Sequence, residues 1–151
     1  MNRVLHTGIT VSNLDQAITF YRDVLGLKLK TGPSEFVGGE ERSRAVGVPG
    51  AWYRGAVLET EDGALELQEY KAPPSPVDRP MPLNTLGAHH VCFLVDNIDA
   101  KVAELEAKGV QFLAPVRTVT EGPFKGYRWA YFRDPDGIAM ELVEYTPQGE
   151  G

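Results

Sequence analysis

The chain has 151 residues, the length of one ordinary domain, and at 42% hydrophobic and 24% charged it has the composition of a globular protein, which excludes wholesale disorder, a collagen repeat and a coiled coil. Fifteen Lys and Arg against 21 Asp and Glu leave a net charge of -6, which repels phosphate backbones and argues against a nucleic-acid partner. One cysteine, Cys92, excludes an internal disulfide and a Cys-based zinc ribbon. The opening MNRVLHTGITV reads as neither a signal peptide nor a spanning segment, and no other stretch approaches the ~18 consecutive apolar residues of a membrane helix, so a cytoplasmic protein without a membrane partner is expected.

From Val4 to Val11 the chain is β-rich. Asn13 then reads as an N-cap, with Gln16 completing a capping-box pattern and Leu14, Ala17, Ile18, Tyr21, Val24 and Leu25 forming one apolar helix stripe that Gly26 ends. Leu27 to Lys30 is a short strand. Thr31 to Trp52 is a long Gly-rich, charged connection of the kind that often covers a site, in which Glu40 to Arg44 reads as a solvated turn or short helix. Tyr53 to Thr60 and Ala64 to Tyr70 form a hairpin across Glu61-Asp62-Gly63, because Asp-Gly accepts the positive φ of a tight turn. The first half is therefore β-α-β-β-β.

Pro73, Pro74, Pro76, Pro80 and Pro82 mark residues 71 to 86 as a linker, since a proline supplies no ladder N–H. The first pattern then begins again. His90 to Asp99 lies over His6 to Asp15, and the helix stripe recurs as Ile98, Val102 and Leu105, ended by Gly109. Ala139 to Tyr145 matches Ala64 to Tyr70 at five of seven residues, and Arg54, Ala56, Asp62 and Gly63 find Arg128, Ala130, Asp136 and Gly137. A duplicated module, about 3–70 and about 87–146, accounts for nearly the whole chain within a single domain. The expected fold is α+β: two tandem β-α-β-β-β modules with four-stranded mixed sheets, helices on one face and the other face open.

Alternation along a strand puts Leu5, Ile9 and Val11 toward the helices and His6, Gly8 and Thr10 opposite. Val91, Phe93 and Val95 are apolar in the second copy, which leaves His90 on the open face with Cys92 and Leu94. His89 turns away from His90. Leu65, Leu67, Met140 and Leu142 belong to the core, and Glu66, Gln68, Glu141 and Val143 do not. If the open faces share a cleft, His6, Glu66, His90 and Glu141 converge as a four-ligand metal site. Gln68 is a substitute donor on the same face. Two imidazoles and two carboxylates suit Ni, Co, Fe, Mn or Zn, and such an ion polarises a carbonyl while a carboxylate moves the neighbouring proton. Cys92 reads as a small lining residue rather than a nucleophile. Trp52, Tyr53, Arg54, Lys125, Tyr127 and Arg128 are either cleft-lining groups or strand-end caps.

The duplicated module, with His6 in LHTGITV, Glu66 in LELQEY, His90 in GAHHVCFLVDNID and Glu141 in DPDGIAMELVEY, resembles the vicinal oxygen chelate superfamily over about residues 3–146. In pattern it is nearest glyoxalase I and methylmalonyl-CoA epimerase-like members. The resemblance implies paired modules around a cleft, one divalent metal ion, a small-molecule substrate chelated through adjacent oxygens, and a homodimer. It implies a metal-dependent lyase or isomerase, with Glu66 or Glu141 as the catalytic carboxylate. Thr10 stands where bacterial glyoxalase I has an Arg for a glutathione carboxylate. Two alternatives fall in the same superfamily. One is an Fe(II) extradiol-type dioxygenase using His6, His90 and Glu141; the other is a non-catalytic resistance protein that sequesters an aromatic antibiotic, as bleomycin-resistance relatives do.

Overall fold

Asn13 has extended backbone dihedrals, and its side-chain oxygen accepts the N–H of Gln16 at 2.9 Å, the bond that starts a helix by satisfying one of its free donors. The computed structural model in which this cap is seen describes residues 3–78 and 81–145. Pro80 of the Pro-rich connection, the expected end of the second module at residue 146 and the tail from Thr146 to Gly151 lie outside the described residues. The chain divides into two compact units, Met1–Asp78 and Arg79–Gly151, each with its own mixed sheet, so the fold is α+β.

In the first unit, β1 (Thr7–Thr10) leads to α1 (Leu14–Thr19), and the chain continues through a wider π-helical turn, Phe20–Val24. The periodicity predicted one uninterrupted helix here. Instead the Leu25 N–H reaches back to Phe20 O, and Tyr21, with 0% of its surface exposed, fills the core beneath the widened turn. Gly26, at φ 84, makes the left-handed exit. Strand β2 (Lys28–Thr31) follows, then β3 (Val37–Gly38), α2 (Glu40–Val46), β4 (Trp52–Glu59) and β5 (Ala64–Ala72). The strand order is β1-β5-β4-β2, with β1 parallel to β5 and the rest antiparallel.

Four strands were expected in this sheet and five are present. The long connection adds β3, which pairs with β4 at Tyr53 and Trp52, beyond the stretch that β2 covers. Gly32 allows the connection to leave β2 across the sheet, because a Cβ there would lie 2.7 Å from Gly55 O and 2.8 Å from Ala56 Cα.

The second unit repeats the order: β6 (Val91–Leu94), α3 (Ile98–Ala107), β7 (Arg117–Thr118), β8 (Arg128–Arg133) and β9 (Ala139–Glu144), arranged β6-β9-β8-β7. Asn97 caps α3 as Asn13 caps α1, accepting the Ala100 N–H at 2.9 Å. The Asp134-Pro135-Asp136-Gly137 turn is held by Asp134, whose carboxylate accepts the N–H groups of Asp136 and Ile138 at 2.9 and 2.8 Å. This tie absorbs the extra residue Ile138, so β9 enters in the same phase as β5.

The cores lie between each sheet and its helix. Ile9, Val11, Leu14, Ile18, Leu58, Leu65 and Leu67 are buried in the first unit, and Ile98, Leu105, Phe132, Met140 and Leu142 in the second. Leu5 departs from the expected core. It is 72% exposed, because β1 begins only at Thr7 and the residues before it are not held in the alternating pleat. Among the described residues no helix is long and apolar enough to cross a membrane.

Candidate functional site

His6 and His90 occupy the same place in the two units, each one residue before the first strand. The parallel ladders place Gly8 beside Glu66 and Cys92 beside Glu141, so each carboxylate stands next to the strand that its histidine precedes. In the first unit His6 Nε2 lies 3.2 Å from Glu66 Oε2; in the second, His90 Nε2 lies 3.0 Å from Glu141 Oε2. Each unit thus brings its own two of the four expected residues together as a pair. Gln68 sits two residues beyond Glu66, level with Thr10, on the same face.

The pairs differ in their surroundings. The Glu66 side chain is 33% exposed and faces Val57 across the ladder to β4, with the open space over Gly8 on its other side. The Glu141 side chain is 15% exposed and faces Tyr131 across the ladder to β8. The Tyr131 hydroxyl is 3.1 Å from His90 Nε2, and its ring meets the imidazole edge to face at 5.1 Å. Trp129 packs edge-on against Tyr131 from the other side. Partial burial and then the Glu141 carboxylate push the Tyr131 phenol up to about 12, so it stays protonated and able to donate. The same causes in the same order push the Cys92 thiol up to about 12. Cys92 is exposed as a residue, but its sulfur is turned against Glu141 and is a thiol, not a thiolate nucleophile, at neutral pH.

Tyr131 was not picked out by the sequence reading. The signal was available: Arg128 and Ala130 repeat Arg54 and Ala56 on the helix side, so alternation sends Trp129 and Tyr131 to the side of Glu141. The two arginines were left open between cleft-lining groups and strand-end caps, and in the structure they turn toward the helices. Arg54 bonds Glu69 at 2.9 Å and Asp15 at 2.8 Å, while Glu69 also accepts the N–H of Leu14 at 2.9 Å. Arg128 repeats this with two 2.8 Å bonds to Asp99, beside Glu144, which accepts the N–H of Ile98 at 2.7 Å. Both arginines tie a helix N-terminus to the sheet. Tyr53 stacks on Tyr70 of β5, and Tyr127 meets Tyr145, the residue after β9, at a tilt.

A cavity of about 710 Å³ opens in the long connection of the first unit, lined by Gly39, Glu40, Ser43, Arg44, Gly47, Pro49, Gly50, Ala51 and Trp52. It contains no imidazole, and its one carboxylate, Glu40, is paired with Arg44 at 3.3 Å on the surface. None of His6, Glu66, His90 and Glu141 lines it.

Within the described residues no group of three or more His, Cys, Asp or Glu is gathered in metal-holding geometry, so each unit by itself offers two donors. Those donors fit a divalent ion chemically. Two ligand atoms each ~2.1 Å from one ion at a right angle are ~3.0 Å apart, and the observed His-to-Glu spacings are 3.2 and 3.0 Å. Neutral imidazole and ionised carboxylate are the donors that Zn, Ni, Co, Fe and Mn accept.

Residues 3–142 match the family described as the glyoxalase/bleomycin resistance protein/dioxygenase superfamily. A 2-epi-5-epi-valiolone epimerase from Actinomyces sp is 37% identical over 144 residues, covering 93% of this chain and 78% of that protein. A lactoylglutathione lyase from Schizosaccharomyces pombe is 34% identical over 150 residues, covering 93% of this chain; the chain spans about half, 47%, of that lyase. A crystal structure of a glyoxalase family protein from Bacillus cereus superposes with a TM-score of 0.77 at 31% identity, covering 95% of this chain and 94% of that one. With a β-α-β-β-β order common to both units, to which the first adds β3 and α2, a His–Glu pair in each, and a family match along nearly its whole length, the chain belongs to the glyoxalase/bleomycin resistance protein/dioxygenase superfamily.

Proposed function

We propose that the protein is a divalent-metal-dependent isomerase or lyase that moves a proton next to the carbonyl of a small oxygenated substrate, with His6, Glu66, His90 and Glu141 as the metal ligands. The observation that carries this reading is the recurrence of one imidazole–carboxylate pair at the same register in both units. A metal ion bound by these residues supplies a Lewis acid that polarises a carbonyl and eases loss of the adjacent proton. Glu66, half-buried and with open space over Gly8 beside it, is free to shift between its place near His6 and a substrate proton. Glu141, enclosed by Tyr131 and His90, is the fixed carboxylate.

Epimerisation is the favoured form of the reaction. The relative named as an epimerase is 37% identical to this chain, against 34% and 31% for two relatives named lactoylglutathione lyase. Thr10, a neutral residue beside Gln68, further favours a substrate whose recognition does not depend on a cation at that point. We take the working form to be a cytoplasmic homodimer, twofold assemblies being the commonest. Sedimentation as a single 16.6 kDa species would exclude the dimer.

The test is the metal content of protein purified without chelator, followed by turnover of 2-epi-5-epi-valiolone in D2O. About one Ni, Co, Fe, Mn or Zn per chain is expected, lost in a His6→Ala, Glu66→Gln double variant. Turnover should place one solvent deuteron on the carbon next to the carbonyl. Absence of metal after reconstitution with each ion would overturn the metal site and favour a ligand-sequestering protein, and oxygen uptake with catechols would replace the isomerase with a dioxygenase.

A further inference from the structure

The two His–Glu pairs differ in the residue directly across the antiparallel ladder from the carboxylate. Opposite Glu66 on β4 stands Val57; opposite Glu141 on β9 stands Tyr131. A carboxylate has about four lone-pair directions, and one metal bond uses one of them, so the others need donors. Glu66, a third exposed, can take those donors from water, but Glu141, at 15%, is largely shielded from it. Its immediate neighbours are His90 Nε2 at 3.0 Å, the Cys92 thiol and the Tyr131 hydroxyl.

Tyr131 is also fixed in place. Trp129 packs on one side of its ring and His90 on the other, and its strand pairs with β9 on both sides of Glu141, from Ala130 to Phe132. Its hydroxyl is 3.1 Å from the same nitrogen that Glu141 faces. With that nitrogen engaged in coordination, the Glu141 carboxylate is the acceptor left to the Tyr131 O–H.

On the metal-site reading above, we propose that Tyr131 is a positioning residue: its hydroxyl donates to Glu141 and its ring orients His90, so the second unit presents a preformed half-site and the first unit, with Val57, an adjustable one. Donors behind metal ligands restrict ligand rotation, and their removal typically weakens metal binding about 10-fold to 100-fold.

The experiment is titration of chelator-stripped full-length protein with Co(II), read by its visible absorption bands and by competition for Kd, beside apo melting curves. Tyr131→Phe, which removes only the hydroxyl, is expected to raise the Co(II) Kd at least about tenfold and to alter the band pattern while leaving the apo Tm unchanged. In a Glu141→Gln background the same substitution should change Kd less than about twofold, because the hydroxyl acts through that carboxylate. Should Tyr131→Phe fold poorly, Tyr131→Leu serves: it has no hydrogen-bond donor and no larger volume, and at least the same rise in Kd is expected. A wild-type Kd in Tyr131→Phe, or an equal penalty with and without Glu141, would overturn the positioning role while leaving the metal site standing. Failure of the wild type to bind Co(II) at all would remove both.

Discussion

Four acidic residues on the two longest parallel-paired strands divide into two jobs by parity. Glu66 and Glu141 face the open side, and Glu69 and Glu144, three residues further on, face the helices and accept the first N–H of α1 and of α3. Each of the latter replaces a missing helical acceptor and compensates an arginine, so Glu69→Ala is expected to destabilise the protein by about 2 kcal/mol in urea unfolding, and Glu144→Ala similarly. A loss below about 0.5 kcal/mol would show that Asp15 alone holds Arg54. On the open side the asymmetry predicts a different order: Glu141→Gln should release more metal in equilibrium dialysis than Glu66→Gln, and the reverse order would contradict a fixed second half. The four candidate ligands were legible because a repeat tests itself; a His or Glu that recurs at one strand phase is informative in a way that a single one is not. For Arg54 and Arg128, which also recur, the sequence left two readings open, since a repeated charge signals a repeated job without saying which face it serves. Their partners, Asp15 with Glu69 and Asp99 with Glu144, lie far apart in sequence, and only the fold brings them together.

The helices show where local chemistry suffices and where it does not. Both N-caps were readable from Asn followed by an apolar stripe, and Asn13→Ala or Asn97→Ala should each lower stability by about 1 kcal/mol. The widening of α1 into the turn Phe20–Val24 was not readable. Its residues keep the apolar spacing of a helix, and the distortion comes from seating Tyr21 against the sheet. At the start of α3, two hydrogen bonds from Arg128 hold the Asp99 carboxyl below the usual carboxylate range, against desolvation and with help from the guanidinium charge. A lowered folded-state pKa makes this contribution complete above the unfolded value of ~3.9 and removes it as pH falls through the folded value. Asp99→Asn should therefore melt below the wild type at neutral pH, with the gap closing under about pH 3.9 in paired Tm measurements. A gap independent of pH would assign the effect to the side chain's shape rather than its charge. In the long first connection only the option of a short helix was legible, because α2 is too brief for periodicity and β3 has just two residues.

At the scale of the whole molecule, the duplication was visible from sequence and the five-stranded first sheet was not, because β3 exists only where β4 extends past β2. The connection after β5 is Pro-rich and mostly exposed, so limited proteolysis should cut first there and leave two fragments of the sizes of the two units, read by mass spectrometry. A first cut between Thr31 and Ala51 would instead identify the first long connection as the weaker segment. The repeated register has a consequence for adaptation. Arg54 with Arg128, Ala56 with Ala130, Leu67 with Leu142 and Glu69 with Glu144 match between the copies on the helix side, while on the open side the His–Glu pairs match and Gly8 with Cys92, Val57 with Tyr131 and Gln68 with Val143 differ. Strand alternation thus gives folding and selectivity separate alphabets on one backbone: new side chains at Gly8, where a Cβ meets nothing within 4 Å, or at Val57 can retune what the protein accepts without touching a side chain that holds the module together.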